Sequence, residues 1–140
     1  MAGLYLEDLS VGQSATLSRT VSEGDIVRFA EVSGDHNPVH LDEAYAANTP
    51  FKTRIAHGML GASFISALLA GALPGPGAIY LSQSLAFKRP VKIGDEVTVT
   101  ATITAVDEAK ARVTLATVAS VNGKAVIEGE AVVMAPRKAG

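Results

Sequence analysis

The chain has 140 residues, of which 48% are apolar and 19% charged, with a formal net charge of −2 and no cysteine. This length suits one domain, residues 1–140, with a substantial core, and the composition excludes an intrinsically disordered chain. The slight negative charge, with no basic run, argues against nucleic-acid binding, and the lack of thiols excludes disulfides and thiolate chemistry.

Met1 to Ser10 carries Glu7 and Asp8 and lacks the basic start and apolar run of a signal peptide, so a soluble, cytoplasmic protein is expected. Leu4 to Val11 reads as an irregular lead-in ending at Gly12. Ala15 to Val21 alternates as a strand does. Ser22 is an N-cap candidate, with Glu23 and Asp25 in the first turn, where the helix dipole favours acids. Ile26, Val27, Phe29 and Ala30 then supply the apolar face of a helix running to about Val32. Gly34 and Pro38 end it. Asp42 is placed to cap a short helix over Glu43–Ala47, and Asn48 to Arg54 reads as a surface loop.

Gly58 to Leu73 is a second long helix, apolar on every side and therefore expected to be wrapped by other elements. Its apolar part, from Met59 to Leu73, spans about fifteen residues. That is short of the roughly 20 that a membrane-spanning helix needs. Leu73-Pro74-Gly75-Pro76-Gly77 stops it. Everything afterwards reads as strand: Ile79 to Arg89, Glu96 to Val106, Arg112 to Val121 and Ala125 to Met134. A turn at Lys92–Asp95 and a type I′ hairpin at Asn122-Gly123 punctuate the strands. Pro136 to Gly140 is expected to be a frayed tail. Several antiparallel strands with one apolar helix imply an α+β domain, its sheet wrapped around that helix. Pairing of an open sheet edge would make dimerisation natural.

The chemistry concentrates in Gly34-Asp35-His36-Asn37-Pro38-Val39-His40. Pro38 removes a backbone donor and keeps Asn37 out of helical geometry, so the segment bends. A bent segment can turn Asp35 and His40 toward one point, as proton transfer requires. Asn37 supports the loop through a side-chain turn to nearby backbone, and His36 points away. Gly58 stands at a helix N-terminus, where a free amide can receive charge developing on an oxygen. Ser66 lies two helical turns further along, where its hydroxyl can face the same pocket. Pro38 denies His36 and His40 a helical metal pair. A zinc site from Asp35, His40 and His57 is a weaker alternative than proton transfer, and no metal is expected. Neither a phosphate-cradling Gly-Lys-Ser/Thr nor a Gly-x-Ser-x-Gly elbow is present.

The run Ser33 to Asp42 resembles the hydratase signature of the MaoC-like family, Asp-x-Asn-Pro-x-His. The resemblance extends to Ile55-Ala56-His57-Gly58-Met59 and to Ile79-Tyr80-Leu81 leading into Phe87-Lys88-Arg89-Pro90-Val91. It runs from Leu9 to Val133 and is closest to the short (R)-specific enoyl-CoA hydratases that feed polyhydroxyalkanoate synthesis. It implies a hotdog fold, an antiparallel sheet wrapped around a long central helix, and a homodimer. It also implies reversible hydration of trans-2-enoyl-CoA to (R)-3-hydroxyacyl-CoA, with no cofactor beyond the thioester substrate. In that reading Asp35 and His40 activate water, the Gly58 amide polarises the thioester carbonyl, and Ser66 helps line the site. Lys88, Arg89 and Lys92 are candidate partners for the CoA phosphates. An acyl-CoA thioesterase of the same fold and a non-catalytic acyl-CoA-binding module are the alternatives.

Overall fold

A computed structural model of the chain describes residues 3–139. A short 3-10 turn, Leu6–Asp8, opens it and is followed by strand β1, Ser14–Thr20. Helix α1, Glu23–Ser33, begins at Ser22 as expected: the Asp25 N–H donates to Ser22 Oγ (3.1 Å) and the Ser22 N–H to Asp25 Oδ2 (3.0 Å). Two of the N–H groups left over at a helix start are thus satisfied reciprocally. Arg19 and Arg28 both pair with Asp25 Oδ1, fastening β1 to the start of α1. Gly34 closes the helix in the left-handed region (φ 78°), where glycine carries no Cβ penalty.

Two short helices follow, α2 over Pro38–Leu41 and α3 over Glu43–Ala47, and then the long α4, Gly58–Gly71. The strands are β2 (Ile79–Gln83), β3 (Ala86–Phe87), β4 (Glu96–Asp107), β5 (Arg112–Val121) and β6 (Lys124–Met134). They form one antiparallel sheet in the order β1-β4-β5-β6-β2, with β3 also paired to β6. The hairpin at Asn122-Gly123 has positive φ at both residues (51° and 78°), the signature of the type I′ turn.

The core is the contact between one sheet face and one face of α4. Val97, Val99, Ala101 and Ile103 of β4, with Val113 and Leu115 of β5, meet Leu60, Phe64, Ile65, Leu68 and Leu69. Alternate residues of each strand share a face, which is why these positions are spaced by two. Thr117 occupies the same inward face and is fully buried; the Gln83 side-chain amide donates to its hydroxyl at 2.9 Å.

Three expectations are corrected. The helix α4 is not wrapped on all sides, because Met59, Ser63, Ala67 and Ala70 form an exposed stripe opposite the sheet. The strand expected from Ile79 to Arg89 is broken at Ser84-Leu85. There Ser84 bonds twice to Glu130 and its carbonyl lies where a Cβ at Gly129 would be, only 1.8 Å away. The C-terminal segment is not frayed as far as it is described. Pro136 accepts the Leu6 N–H at 2.8 Å, the Lys138 ammonium meets Asp8 at 2.9 Å, and the Arg137 guanidinium donates to Ala109 O at 3.0 Å. Gly140 lies outside the described residues. Among the described residues no helix is long and apolar enough to cross a membrane.

Ile65 is fully buried at the centre of the helix–sheet contact. Ile65→Ala should therefore destabilise the fold by about 2–5 kcal/mol, read as a lowered midpoint in urea unfolding with an unchanged slope.

Candidate active site

Three connected segments build the site. After Gly34, the Asp35 N–H donates to Ser33 Oγ (3.1 Å), and Asp35 Oδ1 accepts the Asn37 N–H (3.2 Å). Asn37 then caps α2: its Oδ1 accepts the Val39 N–H at 3.3 Å, and Pro38 occupies the first helical position, where its missing N–H costs nothing. The bend expected around Pro38 is present, but the proline also opens a turn of helix that carries His40 inward. His36 is exposed, with Nδ1 3.1 Å from the Gly34 carbonyl oxygen, and takes no part in the cluster.

His40 is buried, and its Nδ1 lies 2.8 Å from the carbonyl oxygen of Ile55. A carbonyl can only accept, so Nδ1 carries the proton and the neutral ring presents its lone pair on Nε2. Arg54 holds this arrangement from outside. Its Nε donates to the His40 carbonyl (2.7 Å), its guanidinium pairs with Glu23 of α1 (2.8 Å), and its N–H donates to Glu43 of α3 (3.1 Å).

His57 is the N-cap residue of α4 and is also buried. Its ring stacks on that of His40, with centroids 3.9 Å apart and planes inclined by 28°. Its Nε2 lies 3.0 Å from the Asp35 carbonyl oxygen. The remaining nitrogen, Nδ1, is buried without a hydrogen-bond partner. From the sequence, His57 enters only as one member of the weaker zinc alternative and as the residue before Gly58, with no role in proton transfer. The sole local signal was a histidine immediately before a glycine and an apolar run.

Asp35, His40 and Gly58 line one cavity of about 420 Å³, whose other walls include Ile55, Met59 and Phe87. Gly58 opens α4, where backbone N–H groups have no intrahelical acceptor. A Cβ at this position would lie 2.6 Å from the Phe87 ring, so the close approach of that ring depends on glycine. Lys88 and Arg89 border the cavity and Lys92 lies outside its lining. Ser66 is placed elsewhere: it lines a second cavity of about 490 Å³ with Ser63, Tyr80 and Gln83, and Met59 borders both.

Burial holds the His40 pKa below the ordinary histidine value, and the neighbouring His57 pushes the same way. The Ile55 carbonyl bond and the Asp35 carboxylate oppose this without reversing it. One donor atom from each of Asp35, His40 and His57 falls within 4.8 Å of the others. Each of the two stacked rings has one nitrogen engaged by a main-chain carbonyl. A buried neutral imidazole with an exposed carboxylate beside it suits proton transfer.

A family profile described as "MaoC like domain" matches residues 9–126. The chain is 59% identical over 134 residues to the (R)-specific enoyl-CoA hydratase of Rhodospirillum rubrum, covering 96% of this chain and 93% of that protein. Among solved structures, unliganded R-hydratase PhaJ1 from Pseudomonas aeruginosa superposes with a TM-score of 0.92 at 50% identity, covering 97% of this chain and 88% of the other. The (R)-hydratase from A. caviae involved in PHA biosynthesis superposes with a TM-score of 0.91 at 49% identity, covering 93% and 99%.

The His40 environment predicts a titration midpoint below about 6.5, the unperturbed histidine value. Following the ring protons of the three histidines by NMR against pH tests this. His40 should be the neutral base over more of the acidic range than a free imidazole is.

Proposed function

Because the chain belongs to the MaoC-like domain family and has its hotdog fold, we propose that it hydrates trans-2-enoyl-CoA reversibly to (R)-3-hydroxyacyl-CoA. The observation that carries this reading is the meeting of Asp35, His40 and the Gly58 amide in one largely apolar cavity. Conjugation with the thioester makes C3 of the substrate electrophilic. A water held between the Asp35 carboxylate and His40 Nε2 attacks C3 and gives its proton to Nε2. The C2–C3 π electrons shift toward the thioester oxygen, where the Gly58 N–H receives the charge. Preformed donors of this kind are worth about 2.7–4 kcal/mol. The enolate then takes the proton from the His40 imidazolium at C2, and the imidazole returns to its neutral form. Asp35 orients the water and stabilises the transient imidazolium. Asn37 holds the loop that carries Asp35. As written, the reaction draws on no cofactor.

The acyl chain would run from Gly58 past Met59, with Ser66 lining its far end, while Lys88 and Arg89 are nearest to the route for the CoA phosphates. The thioester partner in this proposal is CoA, as named for the relatives.

Crotonyl-CoA should lose its enoyl absorbance without release of thiol, yielding (R)-3-hydroxybutyryl-CoA on chiral analysis. Thiol release would favour a thioesterase, and tight binding without turnover a binding module. Asp35→Asn and His40→Ala should each lower turnover by about 10²–10⁴-fold with unfolding midpoints preserved; near-normal activity in either would remove that residue from the mechanism.

A homodimer is part of this reading. The edge strand β2 exposes Ile79, Tyr80 and Leu81, and the second cavity lies between that edge and the uncovered stripe of α4. Such an edge is a ready template for pairing with another chain. Light scattering should give twice the 14.4 kDa chain mass, and a monomer fully active in the same buffer would refute the assembly.

A further inference from the structure

His57 contributes no group to the hydration step, yet it is one of only four buried polar or charged residues among those described. One face of its ring lies against His40 at 3.9 Å, and a tilted contact of 4.9 Å joins it to Phe29 of α1. Its Nε2–H is aimed at the main-chain oxygen of Asp35. The same side chain therefore touches both members of the proposed pair from behind. It sits at the first turn of α4, the best-buried helix of the fold. Loop 34–37 is exposed along its whole length and has no apolar anchor of its own.

We infer that His57 is a positioning residue: its Nε2–H clamps the Asp35 main chain, and its ring backs the His40 imidazole and excludes water from that face. The inference rests on the hydratase reading for its kinetic consequence, but not for its structural one. Proton transfer demands that Asp35 and His40 keep a fixed separation about one water. An exposed loop cannot hold that spacing unless something rigid grips it. His57 transfers the rigidity of α4 to the loop through one hydrogen bond and to His40 through one stacking contact. The ring's contacts with the pair are thus its Nε2 bond to the Asp35 carbonyl and its flat face against His40.

The groups that bear on His40 can be named. Asp35 comes from the loop after α1, His57 from the start of α4, and the Ile55 carbonyl and Arg54 from the preceding loop. Across the cavity stand Lys88 and Arg89, while Glu23 and Glu43 are engaged with Arg54. Removing the His57 ring opens one face of His40 to water and deletes a neighbour that disfavours its charged form. Both changes move its titration upward.

The test compares the wild type with His57→Asn and His57→Phe. The second variant keeps an aromatic face and serves if the first does not fold. In His57→Asn the His40 midpoint, followed by NMR, should rise. Hydration requires neutral His40, so activity falls as pH drops through that midpoint, and the acidic limb of kcat/KM should move to higher pH in step. At its optimum kcat should fall on the order of tenfold to a hundredfold, as displaced catalytic groups commonly cause, with KM little changed. His57→Phe should leave the His40 midpoint nearer to wild type while still losing kcat, because the Asp35 clamp is gone. A folded His57→Asn protein with an unmoved His40 midpoint would overturn the inference. A midpoint that moves while the acidic limb stays would support the positioning role and instead overturn His40 as the proton acceptor.

Discussion

The site stands on the burial of one face of α4 against the sheet. Leu60, Phe64, Ile65, Leu68 and Leu69 are each nearly free of solvent, and a buried side chain of this size contributes about 1.5–3 kcal/mol. That contact fixes the first turn of the helix, and with it the Gly58 amide and the His57 ring. The loop carrying Asp35 has no comparable anchor and is docked by polar bonds. The order of dependence therefore runs from apolar packing to α4, from α4 to His57, and from His57 to the catalytic loop.

Opposing requirements meet at His40. A base must be neutral to accept a proton, which burial favours, and must tolerate the charge it then acquires, which the adjacent carboxylate favours. Burial is the larger influence on His40 and Asp35 the smaller. The resting ring is thereby biased toward the accepting form, while its charged form keeps a counter-ion within reach. Arg54 serves the same end mechanically, joining α1, α2 and α3 around the His40 carbonyl.

What could be read from the chain was whatever local chemistry decides. The bounds of α3 follow from Asp42, whose Oδ1 accepts the Tyr45 N–H, and the hairpin before β6 follows from Asn122-Gly123. The Asp35–His40 bend follows from Pro38. The features that escaped all depend on residues distant in sequence. The break between β2 and β3 needs Ser84 to approach Gly129, and the settled C-terminal segment needs Pro136 to meet Leu6. The His40–His57 stack joins α2 to the start of α4 across the intervening α3 and the loop that follows it. Periodicity correctly identified α4 as apolar, but not which of its sides the sheet would leave open. Small residues such as Ser63, Ala67 and Ala70 are compatible with either outcome.

Both imidazoles owe their tautomers to main-chain oxygens, those of Ile55 and Asp35. A point mutation can replace the side chain at position 55 and leave the acceptor atom in place, so that position can drift over evolutionary time at little risk to the resting tautomer of His40. The two rings have no such reserve, since the donor belongs to the side chain itself and a substitution removes or displaces it. The site is thus insured at its acceptors and uninsured at its donors, and neutral variation should accumulate unevenly between the two.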